Sequence, residues 1–357
     1  MSRLHVVSLP HTETTVDYDW CAYTSKVRKF CTMMHRRGHE VHLYAGEENE
    51  AECTTHTAVV TREDQKRWFS QYNFDVDVFG SYPMAWEPES EWFSAMNVRS
   101  AQLIKQRQQP GDLLCLIMGR SQQPISNMVP GMHAIEWGIG YEGVFSDYRA
   151  FESHAWRHYI AGKGSANFGR FYDTVIPNFF DPTEFYVAEQ KGDYLLYLGR
   201  LHESKGVSIA HEVAGRTGRD LVIAGQGDPN LAPGADYRGV VRGNDRAKLL
   251  AEAHAILVPS LYLEPFGGVA VEAMLSGTPA ITTNWGAFPE TVLEGQTGFR
   301  CNMIRDFCAG VERADELEPG TVRSLTLSRF SLGAVAPQFE RWFEQLVTLD
   351  GKGFYAA

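Results

Sequence analysis

The chain has 357 residues, enough for two ordinary domains each with its own core, and its 44% hydrophobic and 22% charged content describes a globular protein rather than a disordered one. A formal net charge of −11 argues against a surface built mainly to wrap nucleic acid or anionic lipid, while leaving room for a local basic face. No run of about 18 apolar residues exists to span a membrane, the opening MSRLHVVSLPHTETT lacks the apolar core of a secretory signal, and six scattered cysteines without a C-x-x-C pair fit reduced thiols in a cytoplasmic protein.

Residues 4–9 predict a first strand, followed by a polar loop over 10–19. A helix is expected over 20–37, with Ala22, Val27, Phe30, Met33 and Met34 as its buried stripe, ended by Gly38 and followed by a strand over 40–45. Strand, long helix and strand make a βαβ opening, and so predict a parallel sheet with its ligand crevice at the carboxyl ends of the strands. Thr12, Glu13, Thr14 and Thr15 lie in the loop at that address, where they suit a polyol or a heterocycle edge. The alternative use of Thr14, Thr15 and Asp19 is to cap the following helix. Residues 74–79 alternate like a half-exposed strand, and 81–92 form an acidic, aromatic loop suited to covering a sheet edge or stacking on a ligand. Residues 113–118 read as a buried strand, and His133 leads into the glycine-punctuated EWGIGY of 136–141, which holds Glu136. Over 149–172 basic and aromatic residues interleave; the spacing of Phe151, Ala155 and Tyr159 favours a packed helix over a binding face for single-stranded nucleic acid.

After a charged linker at 189–193 a second alternating unit begins. Residues 194–199 predict a strand, and Arg200 and Lys205-Gly206 follow on its loop. Arginine clamps two oxygens with a planar fork and lysine acts as a point charge, so the pair suits a diphosphate. Helix, strand, the turn Gly225–Gly227, a short strand over 239–243 and a helix over 246–254 come next. The run Ala255–Val258 is a buried strand. Then Gly267-Gly268 open a helix over 269–276 that Gly277 stops, and a strand covers 280–283. A glycine pair at a helix start leaves backbone N–H groups bare for an anion. Glu264 and Glu272 flank that point. Carboxylates do not hold phosphate, so a group with hydroxyls is expected beside it, which together suggests a sugar nucleotide. From 331 on, Phe339, Trp342, Phe343 and Leu346 lie on one helical stripe.

The segment PS-x-x-x-EPFG-x-x-x-x-EA-x-x-x-G-x-P, with Glu264 and Glu272, resembles the E-x7-E signature of retaining glycosyltransferases of family 4, which have the GT-B fold. Gly199-Arg200 and Lys205-Gly206 resemble the same family's GR-x-x-x-x-KG, and VIPNFFDPTEF at 175–185 resembles its VIPNGVD-x-x-x-F, with Phe179 where glycine is usual. The resemblance implies an α/β protein with two Rossmann-like domains facing across a cleft: an acceptor domain over 1–187, a donor domain over 188–330, and a helix over 331–357 returning to the first. It implies transfer of a sugar from a nucleotide-sugar, UDP-sugar favoured, to a hydroxyl acceptor with retention. Glu272 would hold ribose hydroxyls and Glu264 the sugar. Arg200, Lys205 and the Gly267 and Gly268 amides would hold the diphosphate, with Gly225, Val241, Phe266 and Val269 around the donor. His133 and Glu136 would reach the sugar from the first domain. No metal and no cofactor is expected; Asp75 and Asp77 have a metal-binding spacing but stand away from the donor motifs. A sugar-nucleotide epimerase, a non-catalytic nucleotide-sugar-binding protein and transfer to a hydroxymethylated base of phage-type DNA remain as rivals, and the acceptor (glycan, small molecule or modified base) is left open.

Overall fold

A computed structural model describes residues 1–70, 86–164, 169–349 and 353. The chain divides into two compact units: Met1–Glu152 with Arg157–Phe179 and the chain from Val335 on, and Ser153–Trp156 with Phe180–Ala334. The expected strand over 74–79, residues 81–85 of the acidic loop, and Asp75 and Asp77 lie outside the described residues.

The first unit is built from β1 (Arg3–Val7), α1 (Ala22–Arg36), β2 (Glu40–Ala45), β3 (Thr55–Ala58), α2 (Arg62–Phe69), α3 (Glu91–Arg107), β4 (Leu113–Leu116), α4 (Gln123–Met128), β5 (His133–Ile139), β6 (Tyr148–Phe151), the part of α5 (His154–Lys163) from Arg157 on, and β7 (Thr174–Val175). Its sheet runs β3-β2-β1-β4-β5-β6-β7 and every pairing is parallel. The second unit carries β8 (Leu195–Leu198), α6 (Val207–Thr217), β9 (Leu221–Ala224), β10 (Asp236–Tyr237), α7 (Gly243–Glu252), β11 (Ala255–Val258), α8 (Gly268–Leu275), β12 (Ala280–Thr283), α9 (Phe288–Thr291), β13 (Gly298–Cys301), α10 (Ile304–Glu312) and α11 (Pro319–Phe330). Its sheet, also parallel throughout, runs β10-β9-β8-β11-β12-β13. The final helix, α12 (Leu332–Val347), starts in the second unit and belongs to the first from Val335 on.

Helices cover both faces of the second sheet. Leu196, Val258, Ala270, Met274 and Val322 pack one core, and Leu195, Val207, Val213, Leu257 and Phe307 the other. Two buried faces are why these strands read as continuous apolar runs. In the first unit the stripe of α1 is buried at Val27, Phe30, Met33 and Met34, whereas Ala22 is exposed at the helix start. Phe30 stacks on Trp137 of β5 at 4.2 Å, and Phe339 of α12 meets both rings edge-on at 5.2 and 6.2 Å. Phe179, which stands where glycine is usual in the resembling segment, lies in this seam, 5.8 Å from Phe339 and stacked on Trp137.

Two expectations are corrected. The stretch over 149–172 is not one helix. Tyr148–Phe151 is a buried strand, and α5 starts only after Ser153, so the helical spacing began on the strand's last residue. The short strand expected over 239–243 sits earlier, at Asp236–Tyr237, because Gly239 and Gly243 take left-handed φ of 65° and 50°, which break extended chain. Among the described residues no helix is long and apolar enough to cross a membrane.

The aromatic seam predicts that Phe339→Ala lowers the unfolding free energy by about 3–5 kcal/mol, the range for deleting a buried ring. Urea unfolding followed by tryptophan fluorescence measures it, and a loss below about 1 kcal/mol would mean that this helix end does not depend on the seam.

Candidate functional site

In a doubly wound sheet the crevice opens where the strand order reverses. In the second unit that point lies between β8 and β11, whose neighbours run outward in opposite directions. The loop leaving β8 carries Arg200 and Lys205, and the loop leaving β11 carries Ser260, Tyr262 and Glu264. The two loops touch through backbone. Leu261 N donates to Ser204 O at 2.9 Å, and a Cβ on Gly206, whose φ is 74°, would stand 2.1 Å from the Pro259 carbonyl oxygen. Glycine is what allows this approach.

Across this junction Lys205 Nζ donates to Glu264 Oε1 at 2.6 Å and to the Tyr262 hydroxyl at 2.6 Å, and lies 4.6 Å above the Tyr262 ring. Ser260 Oγ donates to the same Glu264 oxygen at 2.8 Å. Glu264 is buried, so its charge is met by one cation and one hydroxyl. Tyr197 OH donates to the Arg200 carbonyl at 2.7 Å and fixes the cationic loop from beneath. Burial pushes the Tyr262 and Tyr197 hydroxyls well up, the Glu264 carboxylate adds to the rise, and the positive charge of exposed Arg200 opposes it.

Gly267 precedes α8 with φ 77°, and a Cβ there would stand 2.4 Å from the Phe288 ring. Its left-handed backbone turns the chain into the helix, whose first N–H groups start at Gly268 and Val269. Phe266 is buried, stacked on Phe180 at 6.3 Å, so it can offer a ligand its backbone and not its ring. Glu272 lies one turn into α8 and is ion-paired to Arg246 of α7. Val241 is half-buried and lines a cavity of about 700 Å³ whose walls include Tyr194, Asp220 and Glu252, at the amino ends of β8 and β9 and the end of α7, so this cavity is not the crevice at the switch point. A Cβ on Gly225 would stand 1.9 Å from the Gly199 carbonyl oxygen, so this glycine answers to loop packing. The donor-side residues expected from sequence, then, all belong to one unit, and Lys205, Glu264, Gly267 and Gly268 gather on the loops at the switch point. Sequence reasoning gave no role to Ser260, although it stands in the PS-x-x-x-EPFG segment, nor to Tyr262 and Arg246, which no motif marks.

The first unit differs from expectation. His133 opens β5, opposite Leu113 at the start of β4, so it lies at the amino end of the strand and not at the carboxyl edge; its ring meets Tyr148 edge-on at 5.1 Å, and burial lowers its pKa. Glu136 is fully buried in mid-strand, where it accepts from Phe145 N at 2.8 Å, Ser146 N at 2.6 Å and Tyr141 OH at 3.2 Å. Burial raises its pKa to about 7, against the pull of those donors. The threonines are buried as well. Thr12 and Thr24 share a hydroxyl bond of 2.6 Å, and Thr14 exchanges backbone bonds with Glu48 and Glu50. Glu13 accepts from Glu48 N at 2.7 Å, and burial raises its pKa. Thr15 makes no side-chain cap, and Asp19 pairs with Arg28 at 2.6 Å. The loop is therefore neither a helix cap nor an open ligand face; it is sewn to the 48–50 loop. What the carboxyl edge does hold is Lys26 of α1, ion-paired to Glu152 after β6 and 3.4 Å from the Gly138 carbonyl, with burial lowering its pKa to about 7. Neither residue was expected from sequence. The cations over 149–172 are largely spoken for: Arg149 pairs with Asp173 at 2.7 Å, Lys163 with Glu142 and Arg170 with Asp147 at 2.6 Å each.

Comparison with known proteins first defines the class. The fold is GT-B: a glycosyltransferase involved in avilamycin A biosynthesis superposes with TM-score 0.65 at 20% identity, over 97% of this chain and 98% of that one. Anabaena HepE in complex with UDP and glucose gives 0.63 at 15% identity, over 98% and 100%. At such identities the likeness is one of fold. Residues 192–314, all within the second unit, match the family model described as Glycosyl transferases group 1. Among curated relatives, glycogen synthase of Mycobacterium tuberculosis is 38% identical over 148 residues, a match that covers 36% of this chain and 36% of the length of that relative. The likeness to group 1 glycosyltransferases thus lies within the second unit of a chain with the GT-B fold.

Glu136 gives a pH test. Its folded pKa, about 7, lies above the ordinary value of 4.5, so its protonated form stabilises the fold fully below pH 4.5 and that contribution is lost as pH rises to 7. Glu136→Gln keeps an oxygen for the Phe145 and Ser146 N–H groups and cannot ionise. Relative to wild type, the variant should gain roughly 3 kcal/mol in unfolding free energy between pH 4.5 and pH 7.5. A difference that stays flat across this window would show that Glu136 remains ionised in the fold.

Proposed function

We propose that the chain is a metal-independent, retaining glycosyltransferase that moves a sugar from a nucleotide-diphosphate sugar to a hydroxyl acceptor in the cytoplasm. The observation that carries this reading is the convergence of Lys205, Glu264 and the Gly267-Gly268 helix start at the switch point of the second sheet. Lysine has three N–H donors; two are engaged by Glu264 and Tyr262, and the third serves the diphosphate together with exposed Arg200 and the amides at the start of α8. Glu264 takes hydroxyls of the sugar and Glu272 those of the ribose. A UDP-sugar is the first donor to try, because HepE, which shares the fold, has been seen with UDP-glucose.

As the bond from the sugar's anomeric carbon to the phosphate oxygen breaks, negative charge grows on the leaving diphosphate, where fixed cations and amides meet it without reorganising. The acceptor oxygen then bonds to that carbon on the face just vacated, and its proton passes to the leaving phosphate oxygen. No carboxylate nucleophile enters. On the first unit, Lys26 and Glu152 are the polar pair at the carboxyl edge suited to an acceptor hydroxyl. The paired cations of 149–172 weigh against a nucleic-acid acceptor.

Calorimetric titration with UDP, ADP and GDP, followed by release of nucleoside diphosphate from the matching sugar conjugates on a panel of acceptors, tests the reading. Lys205→Met should weaken the diphosphate by about ten- to a hundredfold, the equivalent of one charge-assisted hydrogen bond, and leave the bare nucleoside unaffected. Binding of none of the three diphosphates would remove the proposal. Interconversion of the sugar without release of diphosphate would make the protein an epimerase.

A further inference from the structure

Each donor-side carboxylate is held by a cation, and one of these cations, Arg246, has no role in the reading above. It lies in the first turn of α7, four residues before fully buried Leu250, and so shares the face with which α7 packs on α8. From there its guanidinium bonds Glu272 Oε2; the two side chains are 30% and 17% exposed. Neighbouring α8 positions Ala270, Val271, Ala273 and Met274 are completely buried, which leaves Glu272 as the polar position in that stretch of helix.

We propose that Arg246 is the positioning residue that aims Glu272 at the ribose of a bound nucleotide, and thereby sets the preference for ribonucleotides over deoxyribonucleotides. The inference rests on the reading that a nucleoside diphosphate occupies this site. A ribose edge offers two hydroxyl donors, and an ionised carboxylate is acceptor-only, with about four lone-pair directions. One bond to Oε2 leaves lone pairs on both oxygens. A glutamate on a helix surface has several rotamers, and freezing one upon binding costs affinity; a guanidinium that is always charged and planar freezes it beforehand. Arg246 needs no contact with the ligand to do this.

The test uses the full chain and calorimetry with whichever of UDP, ADP and GDP binds wild type, paired with its 2′-deoxy counterpart. Wild type should prefer the ribose form by about tenfold, the equivalent of one hydrogen bond. Arg246→Ala should lose about tenfold for the ribose form and little for the deoxy form, so the preference collapses, while Arg246→Lys recovers part of it. Lys205→Met should weaken both forms equally and keep the preference. Melting temperatures accompany each titration, and Arg246→Lys carries the comparison if the alanine variant unfolds early. An undiminished ribose preference in the Arg246 variants, or tighter ribose binding that would make Arg246 a latch, overturns the inference while the nucleotide site stands. Failure of wild type to bind any of the three diphosphates overturns both.

Discussion

In a doubly wound parallel sheet the strand order reverses at one point, where the loops on either side part, and that reversal governs the second unit. β9 and β10 lie to one side of β8, and β11, β12 and β13 to the other. Loops leaving β8 and β11 therefore head apart, and they are tied together by the backbone bond from Leu261 N to Ser204 O and by side chains. Lys205 and Glu264 bridge the two loops at 2.6 Å. Desolvating such a pair is costly unless its remaining donors and acceptors are satisfied, and Ser260 and Tyr262 supply those partners from the same loop. Gly206, pressed against the Pro259 carbonyl, is what lets the two loops come close enough for the bridge to form.

The first unit winds the same way and closes the equivalent point. Gln122, fully buried, accepts from Ile117 N at 3.0 Å and Met118 N at 3.1 Å through one amide atom, and donates to Ser8 O at 2.8 Å through the other. One side chain thus ties the ends of β1 and β4 together, a task that the Lys205–Glu264 pair and a backbone bond perform in the second sheet. The polar groups of the first unit are displaced along the edge, to Lys26 and Glu152. A Cβ on Gly140 would stand 2.8 Å from the Glu152 carboxylate, so the chain there is bare so that the carboxylate can lie against it.

This contrast explains what could be read in advance. In the second unit each donor-side residue is tied to backbone constraints that leave marks in sequence: glycines at left-handed turns, apolar runs for doubly covered strands, paired cations on one loop. Arg246 left no mark, because its placement depends on α7 packing on α8 and not on local spacing. In the first unit the chemistry-bearing residues and the structural ones have the same composition. Glu136 looks like a catalytic carboxylate in a glycine-rich turn, yet it anchors the turn through the Phe145 and Ser146 amides. Thr12 and Thr14 look like ligand hydroxyls, yet Thr12 pairs with Thr24 and Thr14 joins a neighbouring loop by backbone. Partners from nine residues away (Glu136 and Phe145) to 36 (Thr14 and Glu50) decided these roles, and periodicity carries no record of them.

The net charge of −11 sharpens the question of how this chain would attract an anion. A carboxylate left unmatched about 4 Å from a phosphate would oppose it by roughly 4 kcal/mol at an effective dielectric of 20. Two glutamates at the donor site would therefore work against the ligand that the neighbouring glycines favour. The structure meets this by matching each one, Lys205 with Glu264 and Arg246 with Glu272. What remains is the positive end of α8, close in sequence to a loop whose partner loop carries exposed Arg200. The proposed donor site is therefore better described as two ion pairs set on adjacent helices and loops than as two glutamates at a fixed spacing, since without the cations the same spacing would repel a diphosphate.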